Sequence, residues 1–432
     1  MDKKSFLGFG FGAIQAGLFL REAANTGNFK RMVIAEIQPE IVASIRSENG
    51  KFRINTAYQD HIEQEEIGLV EIYNPNIPEE RENIIRAAGE ADEISTAIPS
   101  VAFYTSESAG SIDRTIAEAI RIKKKNAGPS CVIYTAENHN RAAEILKDHV
   151  WNLLDEPDRK WAEDHVQFLN TVIGKMSQVV TDPVEIEEKD LTTVTEDSDR
   201  AFLVESFNQI LISEINLPAS FQRGIQVFEE KGDLLPFEEA KLFGHNAAHA
   251  LIGYTGLALG LQFVRDIAKV PGFVTFIRAA FIEESGGSLT QKYRGRDLLF
   301  TEDGWRDYTN DLIGRMMNPF LGDRIERVIR DPERKLGWND RLVGTMRLTF
   351  SQALNPIRYA FGAAAALDYL RQREKLMELE STSEVLLKIW GDYPRNREEE
   401  KQVIQSIESA RDKYKHWLAS GQPNLSDFFK NS

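Results

Sequence analysis

Residues 8–17 read GFGFGAIQAG and follow a short apolar run that ends at Leu7. A tight glycine turn between a strand and a helix lets the backbone and the helix N-terminus approach a phosphate group, so this stretch predicts a dinucleotide-binding loop. The residues expected to bind the cofactor here are Gly10, Gly12, Ala13 and Ile14. Counted from Gly10, the third glycine of G-x-G-x-x-G is replaced by Gln15, and the loop alone is a weak signal. That glycine normally lets the helix pack closely on the strand, and we expect Gly17 to relieve the same crowding.

The second predicted strand strengthens this interpretation. It reads RMVIAE and ends at Glu36, 24 residues after Gly12. A carboxylate at this position accepts hydrogen bonds from the adenosine ribose and repels a 2′-phosphate. Glu36 is therefore expected to bind the cofactor, and NAD is favoured over NADP. The alternative is a solvated residue at a strand end.

The first half of the chain alternates short apolar strands with helical segments. Strands are predicted at 5–8, 31–37, 69–75, 94–99 and 131–138, and helices at 14–26, from Pro39 onwards and at 112–125. Because strands separated by helices pair in parallel, this half predicts a doubly wound parallel α/β sheet.

Long helical patterns replace this alternation from about residue 200. They are predicted over 202–213, 237–264 and 349–379. The acidic, turn-rich stretch 185–200 is expected to separate two domains, although 166–174 before it can add a strand to the sheet. We therefore expect a dinucleotide-binding domain at 1–199 and a mostly α-helical domain at 200–432.

Composition argues against several functional classes. Hydrophobic residues make up 42% and charged residues 28% of the chain, as in ordinary globular proteins. No apolar run reaches the length of a membrane helix, and the N-terminus makes a poor signal peptide. The single cysteine, Cys131, excludes an internal disulfide and fits a reducing cytoplasm. A net charge of -15 argues against nucleic acid as a partner, and the basic run 121–125 is expected to stabilise a helix C-terminus.

The segment KLFGHNAAH at 241–249 combines polar and small residues within a helical pattern. At about 100° per residue, His249 lies about 80° and Asn246 about 140° round the helix from Lys241. Small neighbours such as Gly244 are expected to leave room for a ligand. A buried lysine has a lowered pKa, which suits a general base.

Two other interpretations apply to this segment. The lysine can extend to solvent beside two surface histidines. His245 and His249 also have the spacing of a zinc-binding pair, but Asn246 stands where H-E-x-x-H has its glutamate. Since no further histidine or cysteine is nearby, no metal site is expected.

Together these features resemble the polyol-specific long-chain dehydrogenases, in particular their mannitol-1-phosphate 5-dehydrogenase branch. The family signature K-x4-N-x2-H is matched by Lys241, Asn246 and His249. Other stretches that resemble this branch extend over nearly the whole chain: STAIP (95–99), AEN (136–138), EESGG (283–287), RMMNPFLGDRIERV (315–328) and RDPERKL (330–336).

The resemblance implies a Rossmann-type first domain, a helical second domain and NAD-dependent chemistry without zinc. STAIP and AEN line the nicotinamide in this family, which implies that Thr96, Ala97 and Asn138 bind the cofactor. The family loop G-x-G-x-[FI]-x-R-x tolerates the missing glycine. However, Ala16 stands at its arginine position, which puts a phosphate contact from there in doubt.

The implied reaction is hydride transfer between NAD and a secondary alcohol of a sugar alcohol phosphate. Lys241 would accept the hydroxyl proton, while Asn138 and Asn246 would donate hydrogen bonds to the developing alkoxide. His249 would orient the lysine or the substrate. Glu238 could pass the proton outward, and Glu239 is an equal candidate.

The phosphate is expected to bind cations in and around RDPERKL. Pro332 should end the preceding helix, which leaves later residues in a loop or a new helix. The expected phosphate-binding residues are Arg330, Arg334 and Lys335. The alternative is that these arginines and Arg327 are exposed and paired with nearby carboxylates. Lys292 after EESGG is a further candidate.

The leading functional hypothesis is interconversion of mannitol 1-phosphate and fructose 6-phosphate. One alternative is a related dehydrogenase of an unphosphorylated polyol or a hexonate, such as mannitol, altronate or mannonate. An alternative of another class is a non-catalytic, NAD-binding regulatory protein.

Overall fold

The computed structural model describes residues 3–218, 220–374 and 381–430. The chain divides into two compact units, Met1–Leu235 and Pro236–Ser432. The first unit extends past the boundary expected at residue 199, because strands that follow this residue pair into both of its sheets.

The first unit contains an eight-stranded and a four-stranded sheet. Its strands are β1 (Lys4–Phe9), β2 (Phe29–Ala35), β3 (Phe52–Ala57), β4 (Ile62–Ile67), β5 (Val70–Tyr73), β6 (Glu93–Thr96), β7 (Cys131–Thr135), β8 (Val166–Ile173), β9 (Ser177–Val180), β10 (Ala201–Glu205), β11 (Ile210–Ser213) and β12 (Glu229–Lys231). The larger sheet has the order β12-β11-β8-β7-β6-β1-β2-β5. From β5 to β8 all neighbouring strands are parallel, in the strand order of a dinucleotide-binding sheet. The predicted doubly wound sheet is confirmed.

Helices cover both faces of the larger sheet. They are a π-helical stretch (Gln15–Leu20), α1 (Arg21–Thr26), α2 (Pro39–Ser47), α3 (Pro78–Glu90), a 3-10 turn (Val101–Phe103), α4 (Ile112–Asn126), α5 (Ala142–Leu153), α6 (Glu156–His165) and α7 (Pro183–Glu188). One hydrophobic core contains Ile116 and Leu146, and a second contains Leu18 and Phe19. The three lysines of the basic run, Lys123–Lys125, lie in the last turn of α4, where the helix dipole favours cations.

The four-stranded sheet has the order β4-β3-β10-β9. Its strands β3 and β4 were not predicted from the sequence. The helix predicted over 202–213 is wrong, because this stretch forms most of β10 and all of β11. All five residues of β10 are buried. A short apolar run that is buried on both faces lacks the alternation that distinguishes a strand from a helix.

The second unit is helical, as predicted. Its helices begin with α8 (Leu235–Glu239) and continue with a π-helical stretch (Ala240–His245), α9 (Asn246–Ala258), a 3-10 helix (Val264–Lys269), α10 (Phe273–Ala279), a second π-helical stretch (Ala280–Gly286), α11 (Gly287–Lys292), a 3-10 turn (Leu298–Phe300), α12 (Glu302–Met316), α13 (Ile325–Val328), α14 (Pro332–Lys335), α15 (Val343–Ser351), α16 (Ile357–Arg373), α17 (Thr382–Trp390), α18 (Arg397–Ala419) and α19 (Leu425–Lys430). None of the described helices is long and apolar enough to cross a bilayer.

Helices α9 and α16 pack closely at the centre of this unit. A Cβ added to Gly362 on α16 would lie 2.6 Å from Leu251 Cδ1 on α9, so only glycine fits there without displacing the leucine. The single helix predicted over 349–379 is interrupted before α16, where Pro356 disfavours a helical residue ahead of it. The last residues of that prediction, 375–379, lie outside the described residues.

Glu284 fixes the start of α16. Its carboxylate accepts backbone hydrogen bonds from Arg358 (2.9 Å) and Tyr359 (3.1 Å). Burial raises the pKa of Glu284 to about 7, although these hydrogen bonds oppose the shift. The EESGG stretch therefore stabilises a central helix of the second unit.

Candidate active site

The glycine loop of the first unit has the geometry that a dinucleotide needs. Gly10 follows β1 with a φ of +84°, and a Cβ there would lie 2.9 Å from the carbonyl oxygen of Ala97. A Cβ added to Gly12 would meet no atom within 4 Å, so the loop is open at this point. The helix starts at Ala13 and Ile14, and the N–H groups of a first turn have no partner inside the helix. The loop therefore fits the phosphates of a dinucleotide.

Glu36 is buried at the end of β2 and braces the same loop. Its carboxylate accepts hydrogen bonds from the backbone N–H groups of Phe11 (2.8 Å) and Gln38 (2.9 Å). Each carboxylate oxygen keeps lone pairs for a further donor. The contact with Phe11 was not anticipated, and the ribose contact remains a prediction.

Gln15 stands at the position of the third glycine, and its side chain reaches strand β6. The side chain is fully buried and accepts a hydrogen bond from the Ser95 hydroxyl (2.9 Å). A Cβ on Gly8 would lie 2.3 Å from Gln15 Nε2, so Gly8 makes room for the glutamine. Gly17 packs on Val204, with 2.5 Å between its added Cβ and Val204 Cγ1. Gly8 and Gly17 together thus relieve the crowding that the missing glycine would cause.

Ala16 points away from the open face of the loop. It is fully buried and belongs to the hydrophobic core on that side of the sheet. In this helix the π-helical winding starts at residue 15, which changes the direction of the side chains that follow. A side chain at position 16 therefore packs into the core of this protein.

A buried carboxylate, Glu137, connects the ends of β6 and β7. It accepts hydrogen bonds from the Thr96 hydroxyl (2.8 Å), the Ile98 N–H (3.0 Å) and the Tyr104 hydroxyl. Burial raises the pKa of Glu137. It directly precedes Asn138, so the expected cofactor-binding residues of this edge are held by a group that the sequence did not single out.

In the second unit, Lys241 lies in a π-helical turn. The Asn246 N–H donates to the Lys241 carbonyl, five residues earlier. The expected separation of about 140° assumed an α-helix and is wrong for this turn, because i to i+5 bonding aligns residues five apart. The expectation that Gly244 leaves room for a ligand is also wrong. A Cβ there would lie 2.8 Å from Phe281 and 3.1 Å from Trp305, so protein side chains fill this space.

The surroundings of Lys241 favour its neutral form. Its side chain is partly buried. Burial and the positive charge of Arg341 lower the pKa of Lys241 to about 8, while Glu238 opposes the shift. His245 is buried on the same turn, and burial together with His249 lowers its pKa far below the usual range. A neutral lysine is therefore accessible near physiological pH.

His249 is oriented by a carboxylate from elsewhere in the unit. Its Nε2 atom lies 2.7 Å from Asp323 Oδ2. Arg327 holds the other oxygen of Asp323 at 2.7 Å. Burial by itself would raise the pKa of Asp323, but His249 and Arg327 lower it to about 2. Arg327 is thus paired with a carboxylate, as the alternative interpretation of these arginines expected.

The cations expected at the phosphate differ in their environments. Arg330 is exposed, and Arg334 is exposed with Asp331 3.8 Å away. Lys335 is buried at the end of α14, which begins at Pro332. Burial lowers the pKa of Lys335 to about 8, and Arg341 and Arg334 add to the shift. No described residue makes a hydrogen bond or ion pair with the Lys335 ammonium.

Two of the alternative candidates are paired with each other. The Lys292 ammonium lies 2.6 Å from a Glu239 carboxylate oxygen. Glu239, the other relay candidate, is therefore held in an ion pair. Among the described residues, no group of three or more His, Cys, Asp or Glu side chains could hold a metal ion.

Comparison with known proteins accounts for nearly all of the chain. Residues 4–222 match the mannitol dehydrogenase Rossmann domain, and residues 233–416 match the mannitol dehydrogenase C-terminal domain. The fold is similar to that of a D-sorbitol dehydrogenase in substrate-free form, with a TM-score of 0.73 and 16% identity over 95% of this chain and 94% of that one. It is also similar to mannitol 2-dehydrogenase from Pseudomonas fluorescens in a ternary complex with NAD and D-mannitol, with a TM-score of 0.73 and 16% identity over 100% of this chain and 95% of that one. Because the two domain models together match most of the chain, it belongs to the mannitol dehydrogenase family of oxidoreductases.

Proposed function

We propose that the protein is an NAD-dependent dehydrogenase that interconverts mannitol 1-phosphate and fructose 6-phosphate. The observation that carries this proposal is the pair of lysines in the second unit. The pKa values of Lys241 and Lys335 are both about 8, and Lys335 is a buried cation that makes no ion pair or hydrogen bond through its ammonium with the described residues. The first lysine suits a base, and the second suits an anionic group on the substrate.

The first unit supplies the binding residues for NAD. The open loop at Gly10 and Gly12 suits the pyrophosphate, and the first helical turn at Ala13 and Ile14 presents N–H groups to it. Glu36 has lone pairs for ribose hydroxyls and would repel a 2′-phosphate. When bound, the nicotinamide supplies the hydride acceptor for alcohol oxidation.

The strand ends of the first unit supply further groups. Thr96 and Ala97 lie in the segment whose Thr96 hydroxyl and Ile98 N–H donate to Glu137, and Asn138 follows directly after Glu137. Asn138 is proposed to donate a hydrogen bond to the reacting oxygen, and Thr96 and Ala97 to shape the nicotinamide site.

The proton chemistry belongs to the second unit. Neutral Lys241 accepts the hydroxyl proton of the substrate. The Asn246 amide donates to the developing alkoxide, which is stabilised by fixed donors. His249, held by Asp323, orients the substrate or the lysine. Glu238, whose charge acts on Lys241, is the proposed relay of the proton to solvent.

Lys335 supports a phosphorylated substrate. Burying an ammonium without an anion is unfavourable, so a site that does so gains free energy when an anion binds. Arg330 and Arg334 are exposed nearby in the sequence and would add longer-range attraction for the phosphate.

Two alternatives have specific support. The structurally similar mannitol 2-dehydrogenase and sorbitol dehydrogenase are named for unphosphorylated polyols, and a hexonate would also supply an anion for Lys335. A non-catalytic NAD-binding role is disfavoured by the lowered pKa of Lys241 and the His249–Asp323 pair, which a purely binding protein does not need.

Initial rates of NADH oxidation test the proposal. Fructose 6-phosphate, fructose, tagaturonate and fructuronate are compared at equal concentration, with NADPH as the cofactor control. The expected result is preferential turnover of fructose 6-phosphate with NADH. Preference for fructose or for a hexuronate would establish the corresponding alternative, and no turnover of any of them would overturn the assignment.

A further inference from the structure

Arg341 connects the segment that carries Lys335 to the turn that carries Lys241. The Leu342 N–H donates to the Lys335 carbonyl oxygen (3.2 Å). The Thr345 hydroxyl donates to the Arg341 carbonyl oxygen (2.5 Å) and lies 3.3 Å from the Phe243 carbonyl oxygen. Phe243 is two residues from Lys241, so chain neighbours of Arg341 contact Lys335 and a residue close to Lys241.

The backbone around this contact is tightly packed. A Cβ added to Gly344 would lie 2.7 Å from Phe243 Cε1 and 3.0 Å from the carbonyl carbon of Asn339. The start of α15 therefore rests directly on the π-helical turn. This close approach fixes where Arg341 lies relative to that turn.

Of the guanidinium nitrogens of Arg341, only Nε makes a hydrogen bond with the described residues. Its side chain is 12% exposed, and Nε donates to Asp340 Oδ1 at 2.7 Å. Neither of its Nη atoms makes a hydrogen bond with a described residue. The two Nη groups form a planar fork that matches two oxygens of a phosphate.

The charged groups around this fork are three cations and three carboxylates, and the cations act against one another. Arg341 lowers the pKa of both Lys241 and Lys335, each second in effect to burial. Arg334 also acts on Lys335. The opposing carboxylates are Glu238 at Lys241, and Asp331 and Asp340 at Lys335. Such a group of cations repels itself and is stabilised by a dianion.

We propose that Arg341 is the specificity-determining residue for the substrate phosphate, which it binds through its Nη groups together with Lys335. This inference rests on the proposed function, because it assigns the phosphate-binding partner within the same site. Arg341 would accordingly distinguish a sugar phosphate from the unphosphorylated sugar.

The test compares Arg341→Gln with the wild-type enzyme and with Arg306→Gln. Arg306 is an exposed arginine paired with Asp303 on α12, and its variant serves as the control for loss of one positive charge. For fructose 6-phosphate, kcat/KM of Arg341→Gln should fall by about 10- to 100-fold, which is the loss of a hydrogen bond to a charged group. For fructose it should change by less than about threefold, and inorganic phosphate should cease to inhibit.

The pH dependence of kcat/KM is a second measurement, and it distinguishes an electrostatic role of Arg341 from a merely structural one. Loss of the Arg341 charge should raise the apparent pKa of kcat/KM above about 8, because this charge lowers the pKa of Lys241. Equal losses with fructose 6-phosphate and fructose, or an unchanged kcat/KM for fructose 6-phosphate, would overturn the inference.

The proposed function can fail independently of Arg341. If the wild type turns over neither substrate, calorimetric titration with inorganic phosphate still tests the subsite. Binding to the wild type and to Arg306→Gln but not to Arg341→Gln would support the assignment of Arg341. Equal binding to all three proteins would contradict it.

Discussion

Replacement of Lys241 by methionine is expected to abolish turnover and yet stabilise the folded protein. The pKa of this lysine is lowered from 10.5 to about 8, first by burial and then by Arg341. One pKa unit corresponds to about 1.4 kcal/mol. The folded state therefore holds the lysine cation at a cost of about 3 kcal/mol, which methionine does not incur.

The pH range of this effect follows from the two pKa values. Below about pH 8 the lysine is charged in both the folded and the unfolded protein, so the whole cost is present. Between about pH 8 and pH 10.5 the unfolded protein binds the proton more tightly, so the cost decreases as the pH rises. At pH 9.5 about 1 kcal/mol should be left by the same relation.

Urea unfolding at pH 7 and pH 9.5 measures this difference. Packing of the methionine side chain contributes equally at both pH values, so the change between them isolates the charge. Lys269→Met is the matched control, because Lys269 is 78% exposed and paired only with the nearby Asp266. The Lys241→Met gain should shrink by about 2 kcal/mol from pH 7 to pH 9.5.

An equal gain of Lys241→Met at both pH values would contradict the prediction. In that case the folded state would not disfavour the ammonium, and Lys241 would lack the lowered pKa of a base. If Lys241→Met unfolded at a lower urea concentration than the wild type at pH 7 but not at pH 9.5, the sign of the predicted effect would be wrong.

Three further variants test other parts of the structure. Asp323→Asn removes the charge that holds His249 and should lower kcat by about 10- to 100-fold with little change in KM, measured by steady-state kinetics. Glu36→Gln keeps an acceptor for the Phe11 N–H but loses the negative charge, so the ratio of kcat/KM for NAD over NADP should fall by at least about tenfold; an unchanged ratio would remove Glu36 from cofactor selection. In the wild type, the pKa of Glu284 is raised from 4.5 to about 7, so the folded state binds a proton more tightly than the unfolded state and gains stability as the pH falls through this range. Glu284→Gln has no proton to bind at this position and does not gain this stability. The wild type should therefore gain about 2 kcal/mol over Glu284→Gln between pH 7.5 and pH 5.5 in urea unfolding, and a constant difference would show that Glu284 has an ordinary pKa.

Local patterns in the sequence predicted the architecture of the parallel sheet. The glycine turn and the strands that follow at regular spacing depend on neighbouring residues, so β1, β2, β6 and β7 could be predicted. The strands β3 and β10 pair with each other across a long stretch of chain. Pairing of this kind leaves no periodic signal within either strand.

The candidate site likewise has residues that local patterns predict and residues that depend on distant parts of the chain. The spacing of Lys241, Asn246 and His249 is a local pattern, and it led to the turn that carries a lysine with a lowered pKa. The contribution of Asp323 and Arg341 depends on helices that pack on this one from later in the chain. The π-helical turn also altered the relative directions of the side chains, which α-helical spacing could not anticipate.

The pH dependence of mannitol 1-phosphate oxidation tests whether Lys241 acts as the general base on a phosphorylated substrate. Initial rates of NADH formation from NAD are measured from pH 6 to pH 10, and kcat/KM is plotted against pH. If Lys241 is the general base of a polyol phosphate dehydrogenase, kcat/KM should rise about tenfold per pH unit up to about pH 8. Above that pH it should fall again, because Lys335, whose pKa is also about 8, loses the charge that binds the phosphate. A profile that is flat across this range, or an absence of turnover at every pH, would contradict the account.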